Sequence, residues 1–238
     1  MSFWDHLDVL RGTLFRSVLA AVALSLVFLF IPERLFRFVL WPAQPDFFFY
    51  RWLGMDFRME LINIDISAQF FVHLKVSFLC GIVLAFPYII YEIWKFIAPA
   101  LYEREKKAVR GAFSLSSGLF YLGVAVGYAI VLPVCLVFFM NYTVSDAVTN
   151  TISLQSYMSL FVSMVFLIGL LFEFPTVVVV LSGLGIINRG HLRKGRRYAV
   201  VAILILAALI TPSDPFSMFV LAIPLYALYE LSILVCRQ

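Results

Sequence analysis

Charge is what this sequence has least of. Asp, Glu, Lys and Arg make up 13% of its 238 residues, about half the roughly 25% of soluble domains. With 63% hydrophobic residues, this scarcity excludes a soluble or disordered chain and points to an integral membrane protein. Cysteine is also sparse: Cys80, Cys135 and Cys236 share no C-x-x-C spacing, which speaks against a disulfide framework or a zinc site. The three histidines, His6, His73 and His191, are scattered, and neither H-E-x-x-H nor G-x-S-x-G occurs. We therefore expect no catalytic residues, no metal and no cofactor. The length leaves no room for a second soluble domain, so one membrane domain over 1–238 is expected. The net charge of +4 needs no nucleic-acid partner, because its distribution explains it.

What is present is apolar runs of helix length. Hydropathy places transmembrane spans at about 15–31, 67–91, 111–140, 156–181, 197–211 and 215–235, an all-α bundle of six helices. The start of the chain has no small-residue cleavage pattern at Phe30-Ile31-Pro32-Glu33 and is read as an uncleaved first span. Most of the 18 basic residues fall before the first span, between the second and third (Lys95, Arg104, Lys106, Lys107, Arg110), or between the fourth and fifth (Arg189, Arg193, Lys194, Arg196, Arg197). The positive-inside rule then puts both termini in the cytoplasm. The connection 32–66, with Trp41-Pro42, Phe47-Phe48-Phe49-Tyr50 and Trp52, is expected to fold down as an outer cap at the interface, where aromatic rings are favoured. The last two helices are expected to be short. The apolar part of the fifth gives only about 20 Å of helix against a hydrocarbon core of about 30 Å.

One carboxylate interrupts the fourth span: Phe172-Glu173-Phe174-Pro175. An ionisable group in hydrocarbon costs a few kcal/mol and is a functional candidate for that reason. The plainer alternative is a protonated glutamate, or one paired with a polar group on another helix. Counting from the span's inner end puts Glu173 in the cytoplasmic half. Lys75 lies near the outer end of the second span and so is not expected to reach it. With no charged partner in range, a polar or water-filled concavity around Glu173 is expected.

The run Tyr91-Glu92-Ile93-Trp94-Lys95-Phe96-Ile97-Ala98-Pro99-Ala100-Leu101-Tyr102-Glu103-Arg104-Glu105 resembles the signature of the TatC family, the multispanning core of the twin-arginine protein translocase. Three more matches are spread along the chain: His6-Leu7-x-x-Leu10-Arg11, Phe172-Glu173-Phe174-Pro175, and Thr211-Pro212-Ser213-Asp214 followed by Leu221-Ala222-Ile223-Pro224. The resemblance implies a cupped six-helix receptor in the prokaryotic inner membrane. It would bind twin-arginine signal peptides of folded cargo and work with TatA-like and TatB-like single-span subunits and further copies of itself. It also assigns signal-peptide binding to Phe96, Pro99, Glu105, Leu10 and Arg11, and the intramembrane polar position to Glu173. Chemistry agrees with the loop assignment, since a guanidinium fork is read by carboxylates and Glu103 and Glu105 stand beside a proline-stiffened turn. As plain loop charges, the two would instead balance Arg104, Lys106 and Lys107.

Two departures from the family pattern stand out. A glutamate is usual where this chain has Val9. On a helix over 3–16, Asp5 shares the face of Val9 and Asp8 is rotated by about 100°, so Asp5, or else Asp8, is expected to substitute. In the last hairpin, Met218 stands where some relatives carry a polar residue that, with Thr211, would dock a partner helix. A polar contact there is worth about 1 kcal/mol. The competing functional class is an ion-coupled transporter or channel using Glu173, but the spans show no internal repeat.

Overall fold

The computed structural model describes residues 3–55, 57–100, 103–143, 145, 150–211 and 215–236, with side chains for all of these except 3–6, 100, 103–105 and 107–109. Among the described residues, five helices are long and apolar enough to cross a membrane: Leu7–Leu29, Ala68–Ile97, Arg110–Asn141, Leu154–Gly183 and Pro215–Val235. The first begins well before the apolar run that hydropathy marks, because α1 (Phe3–Leu29) carries its polar first turns as helix too.

Helix α1 packs along α4 (Ala68–Ile97). Arg16 meets Glu92, and Ser25 Oγ approaches the carbonyl of Phe78 at 3.5 Å, so the two helices are antiparallel. Gly81 permits this approach: a Cβ there would lie 2.6 Å from the Ser25 backbone nitrogen and 2.8 Å from the Ala21 carbonyl. In a membrane, where apolar burial drives helices together only weakly, such close backbone contact supplies the packing.

The third apolar helix comprises α5 (Glu103–Val126), a π-helical stretch Gly127–Val131 and α6 (Leu132–Asn141). The fourth comprises α7 (Leu154–Val162), a π-helical stretch Ser163–Leu167, α8 (Ile168–Leu171) and α9 (Phe174–Gly183). The two π stretches face each other. Between α8 and α9 the helix is interrupted at Phe172 and Glu173. Pro175 accounts for this, since it has no N–H to give to the carbonyl four residues earlier, that of Leu171.

The connection 32–66 folds over the end opposite the basic connections. It contains α2 (Pro32–Leu40), a 3-10 turn Trp41–Ala43 and α3 (Phe48–Leu53). The last carbonyls of α2 have no partner within the helix. Tyr128 donates to Phe38 O at 2.7 Å and Tyr157 to Val39 O at 2.7 Å, while Tyr50 donates to Pro42 O at 2.6 Å. Phe47 and Tyr50 are fully buried, and burial pushes the Tyr50 phenol well above its usual range, so it stays a donor. A two-residue parallel ladder of β1 (Leu61–Ile62) and β2 (Ile152–Ser153) ties this cap to the next connection. Replacing Tyr157 by Phe removes one tie and leaves the buried Val39 carbonyl unpaired. A loss of about 1–2 kcal/mol is expected, measurable as a lower midpoint of thermal unfolding in detergent.

In the last hairpin the fifth helix extends beyond the expected 197–211, while the sixth keeps its expected bounds, 215–235. Helix α10 (Arg189–Ile210) runs 22 residues and α11 (Pro215–Val235) runs 21. Hydropathy marks only the apolar second half of α10. Its basic first half is equally helical, capped by Asn188, whose Oδ1 accepts from His191 N at 2.9 Å. Pro224 sits inside α11. At the basic end the hairpin is closed by Arg196 on Glu230 at 2.6 Å and by Tyr229 donating to Leu192 O at 2.6 Å.

Candidate functional site

Two groups of residues carry chemistry. The first surrounds Glu173, placed by the interruption that Pro175 imposes on the fourth helix. Its partner is a hydroxyl: Ser116 Oγ, on a fully buried serine of α5, donates to Glu173 Oε2 at 2.5 Å. A polar group on another helix is the plainer of the alternatives that the sequence left open, and the partner carries no charge. The neighbour was visible as Ser114-Leu115-Ser116-Ser117, a polar run in an apolar span, but only the antiparallel register of α5 on α9 selects Ser116. The other oxygen, Oε1, is buried with no hydrogen-bond partner. Thr176, one turn on, lies close enough to feel the carboxylate, yet its own buried Oγ1 is likewise unpaired. Unmet capacity of this kind in a buried site is costly, and a small shift of the Thr176 hydroxyl toward the carboxylate would meet it. Lys75 is remote from Glu173. It lines a cavity of ≈ 260 Å³ beside the cap with Asp65, Ser67, Gln155 and Ser159.

The second group lies at the basic end, which the start of α1 and the end of α4 share through their antiparallel packing. On α1, Leu10 is half-buried and Arg11, Val9 and Asp8 are exposed. Asp5 belongs to the same helix, which supplies the helical spacing to Val9, while its side chain lies outside the described residues. Phe96 is half-buried in the last turn of α4, and Pro99 is exposed in the 3-10 turn Ala98–Ala100. Glu103 and Glu105 fall in the first turn of α5, a position where carboxylates complement the helix dipole; their side chains lie outside the described residues. The connection is anchored by Phe113 of α5, buried against Ile90, Ile93, Trp94, Ile97 and Val180, with the Trp94 and Phe113 rings 5.2 Å apart.

Sequence reasoning overlooked what joins these pieces. Arg16 of α1 pairs with Glu92 of α4, with Nη2 2.7 Å and Nε 2.8 Å from the same carboxylate oxygen, Oε2. Glu92 is buried, at 3% exposure. Arg16 is the innermost of the charges at the start of α1 and Glu92 the one carboxylate of α4, but counting basic residues before the first span bears on topology alone. The residues proposed for partner docking sit elsewhere, on the last hairpin. Thr211 is buried and its hydroxyl donates to Ala207 O at 3.0 Å. It lines a groove of ≈ 550 Å³ with Ser156, Ser159 and Ser163 of the fourth helix. Met218 is half-buried against the apolar core.

Comparison with known proteins follows the same lines. Residues 5–224 match the family described as Sec-independent protein translocase protein (TatC). The chain is 36% identical over 249 residues to the TatC protein of a Blattabacterium species, covering 98% of this chain and 94% of that one. It is 37% identical over 237 residues to the Deinococcus radiodurans protein, covering 98% and 85%. Its fold matches a crystal structure of the twin-arginine translocase receptor TatC in DDM with a TM-score of 0.83 at 32% identity, over 98% of this chain and 100% of that one. A second crystal structure of that receptor matches with a TM-score of 0.80, also at 32% identity, over 97% of each chain. With the family match running over nearly the whole sequence and the fold shared end to end, this chain belongs to the TatC family, as a multispanning, non-catalytic receptor and core subunit of the twin-arginine translocase.

Proposed function

We propose that the basic end is the cytoplasmic face and that it reads the arginine pair of signal peptides on folded cargo. Leu10 and Arg11 of α1, Phe96 and Pro99 at the end of α4, and Glu105 at the start of α5 form the reading surface, with Glu103, Asp5 and Asp8 as further carboxylates. The observation that carries this reading is the antiparallel packing of α1 on α4, which gathers these sequence-distant residues at one end. In this reading the chain is a single domain of six spans. α10 crosses with its short apolar half, so its wall of the cup is shallow, and both termini are cytoplasmic. The peptide's apolar part lies along the bundle toward Glu173. TatA-like and TatB-like helices dock at the last hairpin near Thr211, and Met218 leaves that contact one polar group poorer. Further copies of the chain complete the complex.

Site-specific crosslinking from positions 96–105 to a twin-arginine and a twin-lysine signal peptide tests the reading. The twin-arginine peptide should label strongly and Glu105→Ala should cut that labelling about tenfold, the scale of one charge-assisted hydrogen bond. Equal labelling by both peptides would sink it. Undiminished labelling in a double Asp5→Ala, Asp8→Ala variant would remove those two from the site.

A further inference from the structure

We propose that Glu92 is a second guanidinium-reading site, occupied in the resting chain by Arg16 acting as an internal stand-in for a signal-peptide arginine. The inference rests on the recognition reading above and deepens it. A pair of adjacent arginines calls for two acceptors, and Glu92 stands only five residues, roughly 7.5 Å of helix, before the turn that leads to Glu105.

Three features of the pair suit exchange. The Glu92 side chain is 4% exposed and the Arg16 side chain 44%, so the guanidinium covers the carboxylate from the open side and can swing away without moving either helix. Two of the three guanidinium nitrogens of Arg16, Nη2 and Nε, engage the single oxygen Oε2, whereas an ideally placed fork uses both oxygens and binds more strongly. An incoming arginine can therefore improve on the resting contact. Lastly, the Glu92 carboxylate also feels the charge of Lys95 and lies within hydrogen-bonding reach of the Tyr88 side chain. Arg16 is the cation in contact with the carboxylate, so an incoming guanidinium competes with it first. The exchange would couple peptide arrival to release of α1 from α4 at the basic end.

The test is the affinity of the purified full-length chain in detergent for a fluorescent twin-arginine peptide, with a twin-lysine peptide as control and thermal unfolding as the check on folding. If Arg16 occupies the site about nine-tenths of the time, Arg16→Gln should tighten twin-arginine binding about tenfold. Glu92→Gln should weaken it about tenfold, and the double variant should match Glu92→Gln, since a competitor is irrelevant once its site is gone. A clasp that merely holds the helices together predicts the opposite sign for Arg16→Gln, weaker binding of both peptides alike, and that result overturns the exchange. So does unchanged binding by Glu92→Gln. Should Arg16→Gln lose its folded transition, Arg16→Lys, which retains the charge but not the fork, should still tighten binding; no tightening there also overturns the proposal. A wild-type chain that binds both peptides equally would overturn the recognition reading itself, whatever the Arg16 variants do.

Discussion

Gly127→Leu is expected to destabilise the fold by about 3 kcal/mol or more, the upper range for overpacking a tight contact. A Cβ at Gly127 would lie 2.5 Å from the carbonyl oxygen of Met164 and 3.0 Å from the Cα of Val165, and both of these are backbone atoms of the facing π-helical stretch. Side-chain rotation cannot relieve such a clash, so the third and fourth helices must part. Their separation would unseat the Ser116–Glu173 bond nearer the basic end and the Tyr128 and Tyr157 ties to the cap. The readout is thermal unfolding in detergent, together with export of a twin-arginine cargo in cells; both should fall. Gly118→Ala in the same helix is the control. Nothing lies within 4 Å of a Cβ there, and the change should leave stability level or slightly raised. If Gly127→Leu unfolds at the wild-type temperature, the close packing of the π stretches is not what holds this pair of helices.

Glu173→Leu should separate function from stability. Removing a carboxylate from an apolar span relieves its desolvation, and apolar replacement of buried polar groups is often neutral or stabilising. Ser116 can turn its hydroxyl back to a carbonyl of its own helix. Thermal stability is therefore expected to hold or rise. Export should fall below roughly a tenth of wild type, the scale of one lost charged hydrogen bond, because the site no longer offers an acceptor to a passing helix. Glu173→Gln retains an acceptor for Ser116 and should keep more export than Glu173→Leu. Normal export by Glu173→Leu would reduce the residue to a tolerated core glutamate. The transporter reading of this carboxylate has no place once the chain is a TatC protein.

The membrane class, the family and the exceptional status of Glu173 were legible in the sequence because each is a one-dimensional property. Apolar runs must be long enough to cross hydrocarbon, a family signature keeps its residues contiguous, and a lone carboxylate stands out against valine and phenylalanine. The partner of Glu173 was not legible, since Ser116 is one of three nearby serines and its selection depends on how α5 lies against α9. The full length of α10 was missed for a different reason: hydropathy reports where lipid can be, while helix continues wherever backbone hydrogen bonds do. The cap's tyrosine ties escaped because a phenol's partner here is a backbone carbonyl, and every residue has one.

What the sequence by itself determined, then, was the solvent this chain folds in and the family to which it belongs. Tertiary structure alone decided which charges meet. Arg16 and Glu92 are 76 residues apart and look like unrelated exceptions until Gly81 lets α1 and α4 close to backbone contact and their register sets the two side chains opposite each other. The physical reason is that composition and periodicity act along the chain, whereas a low-dielectric interior makes a charge's nearest neighbour in space, not in sequence, set its energy.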